Sequence, residues 1–362
     1  VTEMKVLFVN SGIPGFPARY AYDIHTCLRQ DFHCLVRQTS PQNLSRRLIR
    51  EFNPDLLLVV HGTYTRPELV RYAGERGAAT ALWLVEDPYE IDYHRGEMVG
   101  AYQYVFTTEQ RAVREYDHPR VYYLPWCCNP RVHQRVTAPP AYRSDLLFVG
   151  MGFPNRLRII NYLAPLLKKL KVILIGDWES WGRLHPGLRD KVRPVTGDFW
   201  EIRKYYNGAR INLNIHRDPV DPPSGNSLGV GAESPNDRTF ALAGCAAFQL
   251  VDRTRPGLWD CFTDGVEMVG FSDPEDLAEK IQEYLAKPAT RAKIGEAAQQ
   301  RAYRQHTYRH RLGEIFLKIR RFPEKNWETT IRTSPPQVFY FPASVLSPGQ
   351  GLLYKTRGAR DR

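Results

Sequence analysis

Residues 145–152, DLLFVGMG, repeat the design of residues 5–12, KVLFVNSG. Each is a short apolar run ending in a turn, and each begins a series of similar runs. The first series continues at 55–60 (DLLLVV), 79–85 (ATALWLV) and 104–107 (YVFT), with polar, helix-like segments such as 42–52 and 66–76 between them. The second continues at 171–176 (KVILIG), 210–215 (RINLNI) and 247–252 (AFQLVD). Apolar runs that alternate with helical segments predict parallel strands covered on both faces. The expected fold class is therefore α/β, with two Rossmann-like parallel-sheet halves.

Between the two series lies QRVTAPPAYRS, 134–144, which has two prolines and no apolar periodicity. It separates an N-terminal domain, 1–136, from a C-terminal domain, 143–320. A length of 362 residues suits two cores better than one. Residues 275–319 read as mostly helical, with Leu312, Ile315, Phe316 and Ile319 spaced along one buried face. From 321 to 362 the chain turns proline-rich and basic, which predicts an extended C-terminal arm.

Hydrophobic residues at 43% and charged residues at 25% describe an ordinary soluble protein. The net charge of +11 is spread along the chain without a block of five like charges, so no nucleic-acid tail is expected. That balance suits nucleotides, phosphates, acidic glycans and nucleic acid alike. The six cysteines show no paired Cys-x-x-Cys spacing, so no metal site is expected, and Cys245 reads as a small buried apolar residue. No apolar run approaches the ~20 residues of a membrane helix. No membrane span and a cytoplasmic location are the expectations.

Ligands of open α/β sheets bind outside the carboxyl ends of the strands. After the run 145–149 come Gly150, Asn155 and Arg156, a glycine turn entering a helix, where free N–H groups and a guanidinium suit a phosphate. A tight turn with a surface arginine would read the same way. Trp178 follows 171–176 and offers a ring for stacking or for packing. Asn214 lies in a run where asparagine is unusual, and His216 follows it. In SPNDRTFALAGCAAFQLVD, 234–252, a loop with Asn236 and Arg238 opens onto a helix beginning at Thr239 and Phe240. Orphan N–H groups, an amide and a guanidinium make a diphosphate site. In the first half, Asp87 and His61 each follow an apolar run and are the candidate catalytic bases. Asp87 precedes a proline and equally suits a turn.

The stretches LWLVEDPYEID (82–92), YLPWCCNP (123–130), SDLLFVGMGFPNR (144–156), INLNIHRD (211–218), 234–252 and HTYRHRL (306–312) resemble the CgeB-type (spore-maturation) group of GT-B glycosyltransferases. The resemblance runs in consistent order over about residues 4–320. It implies a GT-B fold, with two Rossmann-like domains facing across a cleft. It further implies a nucleotide-sugar donor, UDP- or dTDP-linked, held by the C-terminal half and an acceptor against the N-terminal half. GT-B enzymes commonly use no bound metal or other cofactor, and the chain contains no Asp-x-Asp. In this family Glu follows the RTF segment and holds the donor ribose, whereas here that position is Ala241. Weak discrimination between ribose and deoxyribose donors is the expectation; Glu233, eight residues earlier, is the other carboxylate nearby. Two alternative readings stay open, a GT-B scaffold that binds without catalysing and a sugar transferase acting on nucleic acid. The acceptor itself, whether protein, glycan, small molecule or nucleic acid, is not legible.

Overall fold

A computed structural model describes residues 3–13, 18–194, 198–222 and 224–319; the arm expected at 321–362 lies outside them. The first six strands are β1 (Lys5–Val9), β2 (Leu35–Thr39), β3 (Leu56–Val60), β4 (Ala79–Leu84), β5 (Tyr104–Thr107) and β6 (Val121–Tyr123). They form one parallel sheet in the order β2-β1-β3-β4-β5-β6. The next six are β7 (Ser144–Val149), β8 (Val172–Ile175), β9 (Val192–Arg193), β10 (Ala209–Asn214), β11 (Gln249–Asp252) and β12 (Val269–Phe271). These form a second parallel sheet in the order β12-β11-β10-β7-β8-β9. The order reverses between β1 and β3 in the first sheet and between β7 and β10 in the second. At such a switch point adjacent loops diverge and leave a crevice above the strand ends.

Burial explains the strands. Leu56 to Leu58, Leu82, Trp83 and Leu146 to Phe148 are all at most 1% exposed, as expected where helices cover both faces of a sheet. Helix Asp237–Gly244 carries Ala241, Ala243 and Gly244, and is capped by the buried Cys245; all six cysteines are buried and free. Among the described residues no helix is long and apolar enough to cross a membrane.

Helix Tyr308–Ile319 returns to the first half. Tyr308, Leu312, Ile315 and Phe316 share one core with Ile24 and Leu28 of helix Ala18–Gln30. The crossing is fixed by hydrogen bonds as well. Cys128 donates its N–H to the His306 carbonyl at 2.8 Å, and Arg311 Nε donates to the Pro125 carbonyl at 2.6 Å. The predicted apolar face is present, but its partner is the first half.

A charged cluster also joins the halves. Arg19, 4% exposed, lies 2.6 Å from Asp237 and 4.0 Å from Asp23. Asp23 is fully buried and accepts from Asn129 Nδ2 at 2.7 Å. Burial pushes its carboxyl up to about 7, against the opposing pull of Arg19 and Asn129. The folded chain therefore retains a proton that the unfolded chain releases near the ordinary value of 3.8. That contribution favours the fold at low pH and is lost as pH rises through about 7. Asp23→Asn keeps an oxygen for Asn129 to donate to. Its loss of stability between pH 5 and 8 should be smaller than the parent's by about 1–2 kcal/mol, read by urea unfolding at each pH. Equal losses would show that Asp23 is ionised in the fold throughout.

Candidate functional site

The start of helix Asp237–Gly244 is built by its cap. Asn236 Oδ1 accepts from the Thr239 N–H and from Thr239 Oγ1, each at 3.0 Å. Asn214, at the end of β10, supports this from below. Its oxygen accepts from Asn236 Nδ2 at 2.9 Å and from Arg238 Nη1 at 3.1 Å. Its nitrogen donates to Thr239 Oγ1 at 2.8 Å and to Gln249 Oε1 at 3.1 Å. The buried asparagine is thus a bracket that aims Arg238 and the cap, with its donors and acceptor occupied. His216 does the same from the other side. Its Nε2 accepts the Asn236 N–H at 3.3 Å while its Nδ1 faces Asp252 Oδ2 at 2.9 Å. Burial lowers its pKa, with Asp252 pulling the other way, so a neutral ring fits both contacts. The N–H groups of Asp237 and Arg238 have no acceptor among the described residues and point out of the helix start.

Two guanidinium groups converge on the turn after β7. A Cβ built on Gly150 would lie 2.6 Å from Arg238 Nη2 and 3.3 Å from Arg156 Nη1. Gly150 has φ +153, and a Cβ on the neighbouring Gly176 would overlap the Gly150 carbonyl oxygen at 2.1 Å. The turn is therefore held close against the loop after β8. Arg156 is 5% exposed and donates to the Ile215 carbonyl at 2.9 Å and the Met151 carbonyl at 3.0 Å. Both guanidiniums lie over the Phe148 ring, at 5.5 and 4.9 Å from its centroid. Neither makes an ion pair with a described carboxylate. Burial, then the like charge of Arg238, brings Arg156 down to about 9. A buried guanidinium and a half-buried one facing the same glycine turn are arranged as an anion with two charges would require. Asn155 joins them, donating to the His216 carbonyl at 2.7 Å while its buried oxygen has no partner.

The structure therefore brings together Gly150, Asn155, Arg156, Asn214, His216, Asn236, Arg238 and Thr239. It does not bring Trp178 or Phe240. Trp178 is 1% exposed and packs edge-on to Phe148 at 5.2 Å, so its ring is core rather than a stacking face. Phe240 is fully buried against Phe262 and His306. Both are corrections with one cause: a large aromatic beside a strand end gains more by filling the core than by facing a wet cleft.

Across the cleft, Asp87 is also corrected. Its buried carboxylate accepts from Thr107 Oγ1 at 2.6 Å and from Tyr116 OH at 2.8 Å, and faces His94 Nδ1 at 3.1 Å. It has no free face toward an acceptor and acts as an anchor for the loop. The adjacent Glu86, passed over in the sequence, is only partly buried and makes no hydrogen bond or ion pair with a described side chain. Burial, then Glu90 and Asp237, pushes it up to about 8. His61, 2% exposed, lies 2.9 Å from Glu90 Oε2 but outside hydrogen-bond alignment. The halves also touch directly. Glu109 accepts the Glu233 and Ser234 N–H groups at 3.1 Å, and Glu233 pairs with Arg111.

Residues 157–316 match the family described as Glycosyl transferase-like. Over 302 residues the chain is 26% identical to the spore protein CgeB of Bacillus subtilis (strain 168), across 81% of this chain and 92% of that protein. The resemblance to the CgeB-type group is thus borne out. In fold the chain is similar to a glycosyltransferase from Rickettsia africae, with 12% identity over 89% of this chain and 100% of that one, and a TM-score of 0.58. It is similar to Anabaena HepE in complex with UDP and glucose, with 12% identity over 88% and 100% and a TM-score of 0.57. Sucrose-phosphate synthase from Thermosynechococcus elongatus gives 12% identity over 88% and 99%, with a TM-score of 0.59. The expected GT-B fold is the fold observed.

Proposed function

We propose that this protein transfers a sugar from a nucleoside diphosphate to an acceptor hydroxyl. The observation that carries the reading is the pair of Arg156, buried, and Arg238, half-buried, neither in an ion pair with a described carboxylate and both beside the Gly150 turn. A diphosphate there would meet both guanidiniums and the free N–H groups of Asp237 and Arg238. Its charge matches what burial leaves uncompensated. The likeness to a UDP-bound fold relative supports a uridine donor. Ala241 is fully buried in the core of the second half and sets no ribose preference, so dTDP-sugars remain candidates beside UDP-sugars.

As the bond to the leaving diphosphate lengthens, negative charge grows where the two arginines already sit. The arginines and the helix start thus supply the leaving-group stabilisation, and no metal is needed on the donor. Positive charge grows on the anomeric carbon, and the acceptor oxygen attacks it from the side of the first half. Glu86 is the group proposed to receive the acceptor proton. With its pKa raised to about 8 it is a stronger base than an ordinary carboxylate once ionised, so transfer should rise with pH toward about 8, and Asp87 beside it is locked.

Thermal melting with UDP, GDP and dTDP, with and without a chelator, tests the donor site. A nucleotide at ~100 times its dissociation constant stabilises the fold by about 2.7 kcal/mol, and the chelator should leave that shift intact. Glu86→Gln should keep the shift and lose transfer. Absence of a shift with every nucleotide would refute the donor site.

A further inference from the structure

We propose that His61, Glu90 and His94 bind a divalent transition-metal ion of the zinc class on the acceptor side of the cleft. His61 follows β3, while Glu90 and His94 lie one helical turn apart in the segment after β4. Their nearest ligand atoms all fall within 4.8 Å of one another. Glu90 Oε2 is 2.9 Å from His61 Nε2 and 4.0 Å from His94 Nε2. A zinc ion about 2.0–2.2 Å from each ligand holds neighbouring ligand atoms about 3–3.5 Å apart, so small side-chain shifts close the shell.

His94 supplies the independent observation. It is fully buried, its Nδ1 faces Asp87 Oδ1 at 3.1 Å, and its Nε2 has no hydrogen-bond partner. Asp87 is itself held by Thr107 and Tyr116 and accepts a hydrogen bond from the His94 Nδ1–H, which leaves the Nε2 lone pair facing His61 and Glu90. A carboxylate that orients a histidine from behind is the usual support of a metal-binding imidazole. Both ring nitrogens of His61 are likewise buried without a hydrogen-bond partner. Three buried imidazole nitrogens outside any hydrogen bond, gathered around one carboxylate, are poorly satisfied without a ligand and well satisfied by a cation.

Two imidazoles and one carboxylate suit zinc and its first-row neighbours rather than magnesium or calcium, which take oxygen ligands. The Glu90 side chain is 33% exposed, so solvent or an acceptor oxygen can complete the shell. Cysteine spacing says nothing about such a site, because its ligands are histidines and a glutamate from two loops. The proposal is independent of the donor reading, since the diphosphate is left to the arginines.

The test is zinc titration of the full chain after chelator stripping, followed by calorimetry and by X-ray absorption of the loaded protein. One equivalent of zinc should bind, with nitrogen and oxygen neighbours only, and magnesium should not compete. His61→Asn should weaken binding at least about a hundredfold while circular dichroism stays unchanged. His61 has φ +71, a conformation asparagine tolerates, so this variant should keep its backbone. No stoichiometric uptake, sulfur in the zinc shell, or unchanged affinity in His61→Asn would each overturn the site.

Discussion

Ala241→Glu is expected to destabilise the protein by about 3 kcal/mol more at pH 8 than at pH 5. Ala241 is fully buried, packed with Leu147, Val149, Ile175 and Cys245 between its helix and the second sheet. A carboxyl there has no partner, so burial raises its pKa by about 3 units, each worth 1.36 kcal/mol. A folded-state pKa raised in this way gives a penalty that is small below the unfolded value and grows as pH rises toward the folded one. Ala241→Gln, which cannot ionise, should carry a cost nearly independent of pH. Urea unfolding of both variants at pH 5 and 8 makes the comparison. A Glu variant as stable as the parent that also gains preference for UDP over dUDP would show that position 241 reaches the donor. On the observed packing it does not, and restoring a ribose grip by this substitution is not expected to work.

The central strands were legible because a parallel strand covered on both faces must be apolar at nearly every position. β1, β3, β4, β7 and β8 are such strands. β2 is not: Leu35 is 44% exposed, and Leu-Val-Arg-Gln-Thr at a sheet edge has no buried run to announce it. β9, with two residues, is too short for any periodicity. The helix at 308–319 shows the opposite limit. Its apolar face was readable at Leu312, Ile315, Phe316 and Ile319, yet amphipathicity names a buried face without naming what covers it.

The donor side was legible for a chemical reason. Asn214 in a buried strand is a residue type its position does not favour without a partner, while Asn236 marks a helix cap and Arg238 puts a cation at that helix start. The structure joins the three in one network. The acceptor side was harder. Asp87 and Glu86 are adjacent carboxylates, and only the fold reveals that one is enclosed by Thr107 and Tyr116 while the other is left unpaired. The pairing of His61 with Glu90 and His94 joins two loops separated by β4, which no local pattern records.

Arg238→Ala should weaken UDP binding ten- to a hundredfold while leaving uridine binding unchanged. Charge-assisted hydrogen bonds contribute about 1.5–3 kcal/mol, and only the diphosphate would make them. The unliganded protein supplies a second, opposite sign. Arg238 stands beside the buried Arg156 and is a cause of its lowered pKa, second to burial itself. Removing that like charge relieves a repulsion, and Asn214 keeps its hydrogen bond from Asn236. Melting of the ligand-free variant should therefore occur at the parent's temperature or above it, by an amount worth up to about 1 kcal/mol. A residue kept for packing would behave in reverse, losing stability and sparing UDP. Binding sites are destabilised where they hold like charges ready for a ligand, so gain of stability with loss of affinity is the signature of a built anion receptor. Equal weakening of UDP and uridine, with a lower melting temperature, would assign Arg238 to the scaffold and leave the diphosphate without its receptor.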